Sequence, residues 1–181
     1  MKDDQRIVLT KKLLKEGLFR ILEKKELNKI SVTELCEESG INRATFYRHY
    51  ERPRDILNDL KTEMFIEVIK LGDNIESIED LQKWLETTCV YFYENADLLK
   101  IFFKNRTDDE FVIFLNDICK SQFSEIRKND TFAELDDDTM RLGAYYYAGG
   151  IYYILRQWLT EPINKSPKEV ASLIFKFLNV L

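Results

Sequence analysis

Glycine and proline are scarce in this chain, six and three among 181 residues. No low-complexity tract or internal repeat appears, and the scarcity fits a mostly helical protein with short connections. A chain of this length suits one or two small domains and can bury a substantial core. No apolar run reaches the roughly 18 residues that cross a bilayer. The start, Met1-Lys-Asp-Asp-Gln-Arg6, carries no signal-peptide pattern. Cys36, Cys89 and Cys119 are odd in number and far apart, which points to a reducing compartment, with the cytoplasm as the default, and to small core residues. A single histidine, His49, with no cysteine or carboxylate at ligand spacing, gives no metal site. Nucleophile-elbow, P-loop and dinucleotide fingerprints are missing as well. The expectation is a protein with no catalytic residues, no metal and no cofactor.

What is present begins with charge. The net value is −5, but residues 1–54 carry 13 Lys+Arg against 9 Asp+Glu and residues 55–181 carry 14 against 23. A head of +4 on a body of −9 is the distribution of a basic reading module attached to an acidic partner.

The informative stretch of the head is Ile30 to Tyr50. Ser31 is a natural N-cap and Glu34, three residues on, completes an S-x-x-E capping box. Val32 and Leu35 give that helix its buried side. Gly40 can take the left-handed conformation that ends it, Ile41 pins the turn, and Asn42 caps a second helix starting at Arg43. At about 100° per residue, Phe46 and Tyr50 face inward; Ala44, Thr45 and Arg48 lie opposite, flanked by Tyr47 and His49. Small and hydrogen-bonding groups at the crest, with longer polar ones on the flanks, suit a helix that enters a major groove. This is a helix-turn-helix, buttressed by a preceding helix over about Arg6–Glu23. On that helix Lys11, Lys12 and Lys15 either touch phosphates or are simply solvated.

Lys11 through Leu57, about a quarter of the chain, resembles the DNA-binding domain of TetR-type transcriptional regulators. The residues that carry the resemblance are Leu13-Leu14-Lys15-Glu16-Gly17-Leu18-Phe19, Ile30-Ser31-Val32-Thr33, Gly40-Ile41-Asn42-Arg43, Thr45-Phe46-Tyr47-Arg48-His49-Tyr50 and Asp55-Ile56-Leu57. The resemblance implies a homodimer whose all-helical remainder binds an inducer or a partner. One position departs: Pro53 stands where the family usually has a phosphate-touching Lys, leaving Arg52 or Arg54 to substitute. Arg43, Ala44 and Thr45 are expected at base edges, with Arg48 on the same exposed surface. Ser31, Thr33, Tyr47, His49 and Arg52 or Arg54 are expected on phosphates.

The body, residues 56–181 against a head of 1–55, reads as further helices. One runs from Pro53, at home in a first turn, to about Leu71. A second follows a Ser77/Asp80 box to about Glu94, and a third spans Ala96–Lys104, with a break at Asn105–Thr107. The next opens on Asp108-Asp109-Glu110 and fades at Arg127-Lys128, before an acidic connection from Asp130 to Asp138. Between Met140 and Leu159 only Arg141, Arg156 and Gln157 are strongly polar. A helix so apolar all round needs burial all round, and a body of this size cannot wrap one of its own helices, so a second chain is expected on one side. Ser166-Pro167-Lys168-Glu169 then starts a last helix. Gly149 to Leu159 followed by that box is similar to a Gram-positive TetR subgroup that includes activators of dihydroxyacetone-kinase operons.

The fold class expected is all-α: a three-helix helix-turn-helix domain plus a helical regulatory and dimerisation domain. The family's dimers form through the last two long helices, which nominates Tyr145, Gly149, Tyr152, Ile174, Phe177 and Leu178 for the interface. The body's aromatics, among them Trp84, Phe92, Phe103, Phe114 and Tyr146, nominate a pocket for an apolar or aromatic effector. The functional expectation is a repressor released from a double-stranded DNA operator by such an effector, with no membrane partner. Two alternatives remain open: a co-regulator or activator whose body docks a protein and takes no ligand, and a small helical enzyme or carrier that kept the head as a scaffold.

Overall fold

The computed structural model describes residues 2–72, 75, 77–104, 109–126 and 136–178. The described residues form helices joined by turns, without strands: α1 (Lys2–Leu22), α2 (Val32–Ser39), α3 (Arg43–Tyr47), α4 (Pro53–Leu71), α5 (Ile78–Glu94), α6 (Ala96–Lys104), α7 (Asp109–Ile126), α8 (Asp137–Thr160) and α9 (Pro167–Leu178). A 3-10 turn at Leu27–Lys29 links α1 to α2. The break expected at 105–107, the fade at Arg127-Lys128 and the acidic connection through 135 lie outside the described residues. No described helix is long and apolar enough to cross a membrane.

The chain divides into two compact units, Met1–Glu67 and Val68–Leu181, so the division falls inside α4 rather than at its first turn. In the first unit α1 buries Leu14, Leu18, Ile21 and Leu22, a stripe at helical spacing. Fully buried leucines of this kind contribute about 1.5–3 kcal/mol each. Gly17 lets α2 approach: a Cβ there would sit 2.9 Å from the Ser39 Cβ and 3.2 Å from Ser39 backbone atoms. Leu35 and Cys36 of α2, Phe46 of α3 and Ile56 and Leu57 of α4 complete this core.

In the second unit α7 packs along α8 and α5 along α9, while α6 touches α5 and α8. Aromatic rings knit the layers. Phe111 of α7 meets Phe92 of α5 at 5.7 Å, Phe103 of α6 at 6.0 Å and Tyr152 of α8 at 6.3 Å between ring centroids. Tyr93 stacks on Trp158 at 5.6 Å, and the Trp158 Nε1–H donates to the Lys165 carbonyl, tying the end of α8 to the approach of α9. The α9 start is a full capping box: the Ser166 hydroxyl accepts from the Glu169 N–H, and the Glu169 carboxylate accepts from the Ser166 N–H. Ser77 and Asp80 do the same for α5.

Candidate nucleic-acid interface

The turn between α2 and α3 has the geometry its residues require. Gly40 adopts φ 69°, its N–H donates to the Glu37 carbonyl, and the Ile41 N–H reaches back to the Cys36 carbonyl at 3.1 Å. That pair of bonds is a Schellman ending, which a left-handed residue makes possible. Two residues on, the Asn42 side chain accepts from the Thr45 N–H at 2.8 Å and opens α3. α3 itself is short. It ends at Tyr47, and the expected helix to Tyr50 continues only as a tightened turn, with His49 and Tyr50 both donating to the Phe46 carbonyl.

At α2 the structure differs from the expected capping box. The Ser31 hydroxyl accepts from the Glu34 N–H at 3.2 Å, but the Glu34 carboxylate takes the Lys25 ammonium at 2.7 and 2.8 Å instead of the Ser31 backbone. A charge-assisted bond outcompetes a neutral N–H. The Lys25 hydrogen bond holds the Glu34 carboxyl below its ordinary range.

Phe46 and Tyr50 are buried, as the helical spacing predicts, and their rings lie 6.1 Å apart. Their burial turns Arg43, Ala44, Tyr47 and Arg48 to solvent, with Tyr47 53% exposed, and leaves Thr45 and His49 half-buried. Ser31 and Thr33 are exposed at the start of α2, and Arg52 and Arg54 on either side of the buried Pro53. Asp55 accepts from the Glu51 and Arg52 N–H groups at 3.0 and 2.7 Å. The backbone donors of Glu51 and Arg52, just before α4, are therefore occupied, and the two exposed guanidinium groups flank them.

The cations of the head sort into two sets. Lys11 pairs with Asp59 at 2.8 Å, Lys15 with Glu63 at 2.6 Å, Lys25 with Glu34 and Arg20 with Glu38. Arg43, Arg48, Arg52 and Arg54 pair with no carboxylate among the described residues. Lys11 and Lys15 are thus corrected from the phosphate-touching or solvated groups of the sequence reading to ties between α1 and α4. Asp59, which sequence reasoning passed over, is the hub of these ties. It accepts from Lys11 and, at 2.8 Å, from the Tyr50 hydroxyl just past α3. Burial alone would raise the Asp59 carboxyl, but these two hydrogen bonds and the charges of Lys11 and Lys15 bring it below its ordinary value. Burial and the same carboxylate push the Tyr50 phenol up. The signal in the sequence was the matched i, i+4 spacing of Lys11/Lys15 and Asp59/Glu63.

In the body, Phe92, Phe103 and Phe114 are buried and converge on Phe111. Two other nominated pocket residues stand apart. Tyr146 is 73% exposed on α8, and Trp84 sits against Gly72 with its Nε1–H donating to the Val68 carbonyl at 3.2 Å. The nominated interface residues also divide. Tyr152, packed between Phe103 and Phe111, and Ile174 are buried within the chain, so they belong to the core of the unit. Tyr145 and Phe177 are 52% and 55% exposed, and Gly149 and Leu178 are partly exposed.

The sequence profile of the transcriptional regulator C-terminal region of TetR type matches residues 79–180. The chain belongs to the TetR family of transcriptional regulators. A curated relative, an HTH-type transcriptional regulator YxbF of Bacillus subtilis, is 31% identical over 187 residues, covering 98% of this chain and 46% of the relative. The chain therefore spans about half the length of the curated relative it matches. Solved structures share the fold of this TetR-family chain. A putative TetR-family regulator from Syntrophomonas wolfei superposes with TM-score 0.77 at 15% identity, covering 95% of this chain and 96% of its own. A TetR regulator from Streptococcus agalactiae gives 0.71 at 18%, covering 98% of each chain. The dihydroxyacetone kinase operon activator DhaS gives 0.67 at 21%, covering 94% of each. The family is one of regulators and not of enzymes, and its members bind DNA and act as dimers.

Proposed function

We propose that this chain is a homodimeric regulator that reads a near-palindromic DNA operator and leaves it when a small apolar or aromatic effector enters the body. The observation that supports DNA reading best is the sorting of cations in the head. Lys11 and Lys15 of α1 are paired with carboxylates of α4, while Arg43, Arg48, Arg52 and Arg54 stay exposed around α3 with no carboxylate partner among the described residues. Arg43, Ala44 and Thr45 contact base edges, with Arg48 beside them; Ser31, Thr33, Tyr47, His49 and Arg52 or Arg54 hold phosphates. Arginines held on phosphates release condensed counterions, so binding falls with salt.

Two copies are needed to read two half-sites one helical turn apart. α8 supplies the surface: Leu142, Tyr145, Tyr146, Gly149, Gly150 and Tyr153 lie on one side of the helix, and its four large members are exposed. Gly143, Gly149 and Gly150 have nothing within 4 Å of a would-be Cβ. Each glycine in a helix costs about 1 kcal/mol relative to alanine, and no packing inside the chain offsets that. Close approach of a second copy's helix does. Phe177, 55% exposed, and Leu178 are the members that α9 would add to the interface. The effector reading is supported by the aromatic cluster of Phe92, Phe103 and Phe114 in the body core, and effector binding there displaces α4 and changes the spacing of the two heads.

Selection from random duplexes at low salt, followed by gel-shift titration of the winning site, tests the reading. A palindromic site bound by two chains is expected; no duplex affinity at low salt overturns it. The fold shared with the operon activator DhaS favours activation as the second reading. A transcription assay on the selected site decides the sign.

A further inference from the structure

α3 is five residues long, Arg43–Tyr47, too short to hold its own shape. Its near end is set by the Asn42 cap on the Thr45 N–H and by Phe46, which is fully buried. Its far end runs into a single turn, where the His49 and Tyr50 N–H groups share the Phe46 carbonyl at 2.9 and 3.0 Å. Beyond that turn the chain meets α4 twice. Asp55 accepts from the backbone of Glu51 and Arg52 through one carboxylate oxygen. One turn further along α4, Asp59 accepts from the Tyr50 hydroxyl at 2.8 Å.

The Asp59 contact is more than a surface bond. The same oxygen, Oδ2, also takes the Lys11 ammonium at 2.8 Å, and that ammonium lies 5.4 Å from the centre of the Tyr50 ring. Tyr50 is only 6% exposed. Its hydroxyl is therefore fixed by the packing of its own ring and by a charged acceptor, the stronger class of hydrogen bond. Residues 50–52 are bonded to α4 at three points through two carboxylates one helical turn apart. Tyr47, Arg48 and His49 thus lie between two anchors, Phe46 in the core and Tyr50 on Asp59. Arg43 and Ala44 lie before the first anchor, in the turn that Asn42 caps.

We propose that Tyr50 and Asp59 are positioning residues for DNA reading: their hydroxyl–carboxylate bond locks the far end of α3 to α4 and so places Tyr47 and His49 on the operator's phosphates. This rests on the DNA reading above and adds a division of labour between the two ends of α3. Neither group is itself a DNA contact, since the Tyr50 hydroxyl is engaged by Asp59 and a carboxylate repels phosphate. Tyr50→Phe removes the bond with little else. The ring stays, and Asp59 keeps Lys11 as its partner, so no charge is stranded and the fold survives. A hydrogen bond to a charged acceptor is worth about tenfold or more in an equilibrium constant, which sets the scale of the effect.

The test compares full-length wild type and Tyr50→Phe well below both melting temperatures, so that loss of fold plays no part. Gel-shift titration should show Tyr50→Phe binding the selected site and its single-base mutants about tenfold more weakly, all alike. Base preference, which the near end of α3 carries, should not move. Tyr50→Phe should add little to Tyr47→Ala, whose contact it misplaces, nothing to Asp59→Ala, and its full effect to Arg43→Ala. Without DNA, amide exchange at His49 and Tyr50 should quicken in Tyr50→Phe while Thr45 and Phe46 stay as in wild type. Unchanged affinity or unchanged exchange in Tyr50→Phe overturns the inference and leaves the DNA reading standing. A changed base preference, or full additivity with Tyr47→Ala, overturns it too, because the hydroxyl then acts on α3 as a whole or not through Tyr47. A wild type with no affinity for any duplex overturns the DNA reading itself, and this inference with it.

Discussion

Arg43 and Tyr47 stand side by side on the exposed surface of α3 and are expected to do different work. Arg43 projects from the first turn of α3 with no carboxylate partner, suited to a base edge; Tyr47 presents a hydroxyl on the flank, suited to a phosphate. Arg43→Ala should relax preference at one base position by about 1–3 kcal/mol, while Tyr47→Ala should weaken binding to all sequences alike. Gel-shift titration over an operator mutant panel reads both; an unchanged base preference in Arg43→Ala removes that residue from base reading. Gly17 is a stability residue by contrast. The methyl of Gly17→Ala would meet Ser39 Cβ at 2.9 Å and its backbone at 3.2 Å, so α1 and α2 must separate. A loss of about 1–3 kcal/mol is expected, seen as a lower melting temperature.

Helix starts decide the elements. Ser31 satisfies one orphan N–H of α2, and Ser31→Ala should destabilise the head by about 1 kcal/mol in urea unfolding. α4 is held to α1 and to the end of α3 through Asp59, whose carboxyl lies below its ordinary value. A depressed folded pKa contributes stability that is present above the unfolded value, near 3.9, and is lost as pH falls through the lower folded one. Acid titration of the melting temperature should therefore show a loss beginning below about pH 4 that shrinks in Asp59→Asn. An identical acid profile in that variant would mean the Lys11–Asp59–Tyr50 hub is not formed in solution.

For the whole molecule the sharpest expectation comes from the α8 glycines. Within one chain, Gly149→Ala meets open space and should stabilise the helix by about 1 kcal/mol. If a second copy's helix lies against it, the same methyl intrudes and the dimer dissociates more readily. Analytical ultracentrifugation across a dilution series separates the two signs. A dimer as tight as wild type places the interface elsewhere.

Local signals carried much of this protein in its sequence. Helix periodicity, the capping residues Ser77, Ser166 and Asn42, and the left-handed Gly40 act over four or five residues, so the helices and the turn of the reading head could be placed from residue order alone. The tertiary structure decided matters that depend on which surfaces meet. Tyr145 and Tyr152 are equally aromatic positions on one helix, yet α6 and α7 bury the second and leave the first exposed. Lys15 and Arg43 are equally cationic, yet α4 offers Lys15 a carboxylate and no described residue offers one to Arg43. The burial of the polar Thr88 and Asn116 is likewise decided only when neighbouring helices have closed over them. Helix signals are local in the chain, whereas burial and pairing join residues far apart in it.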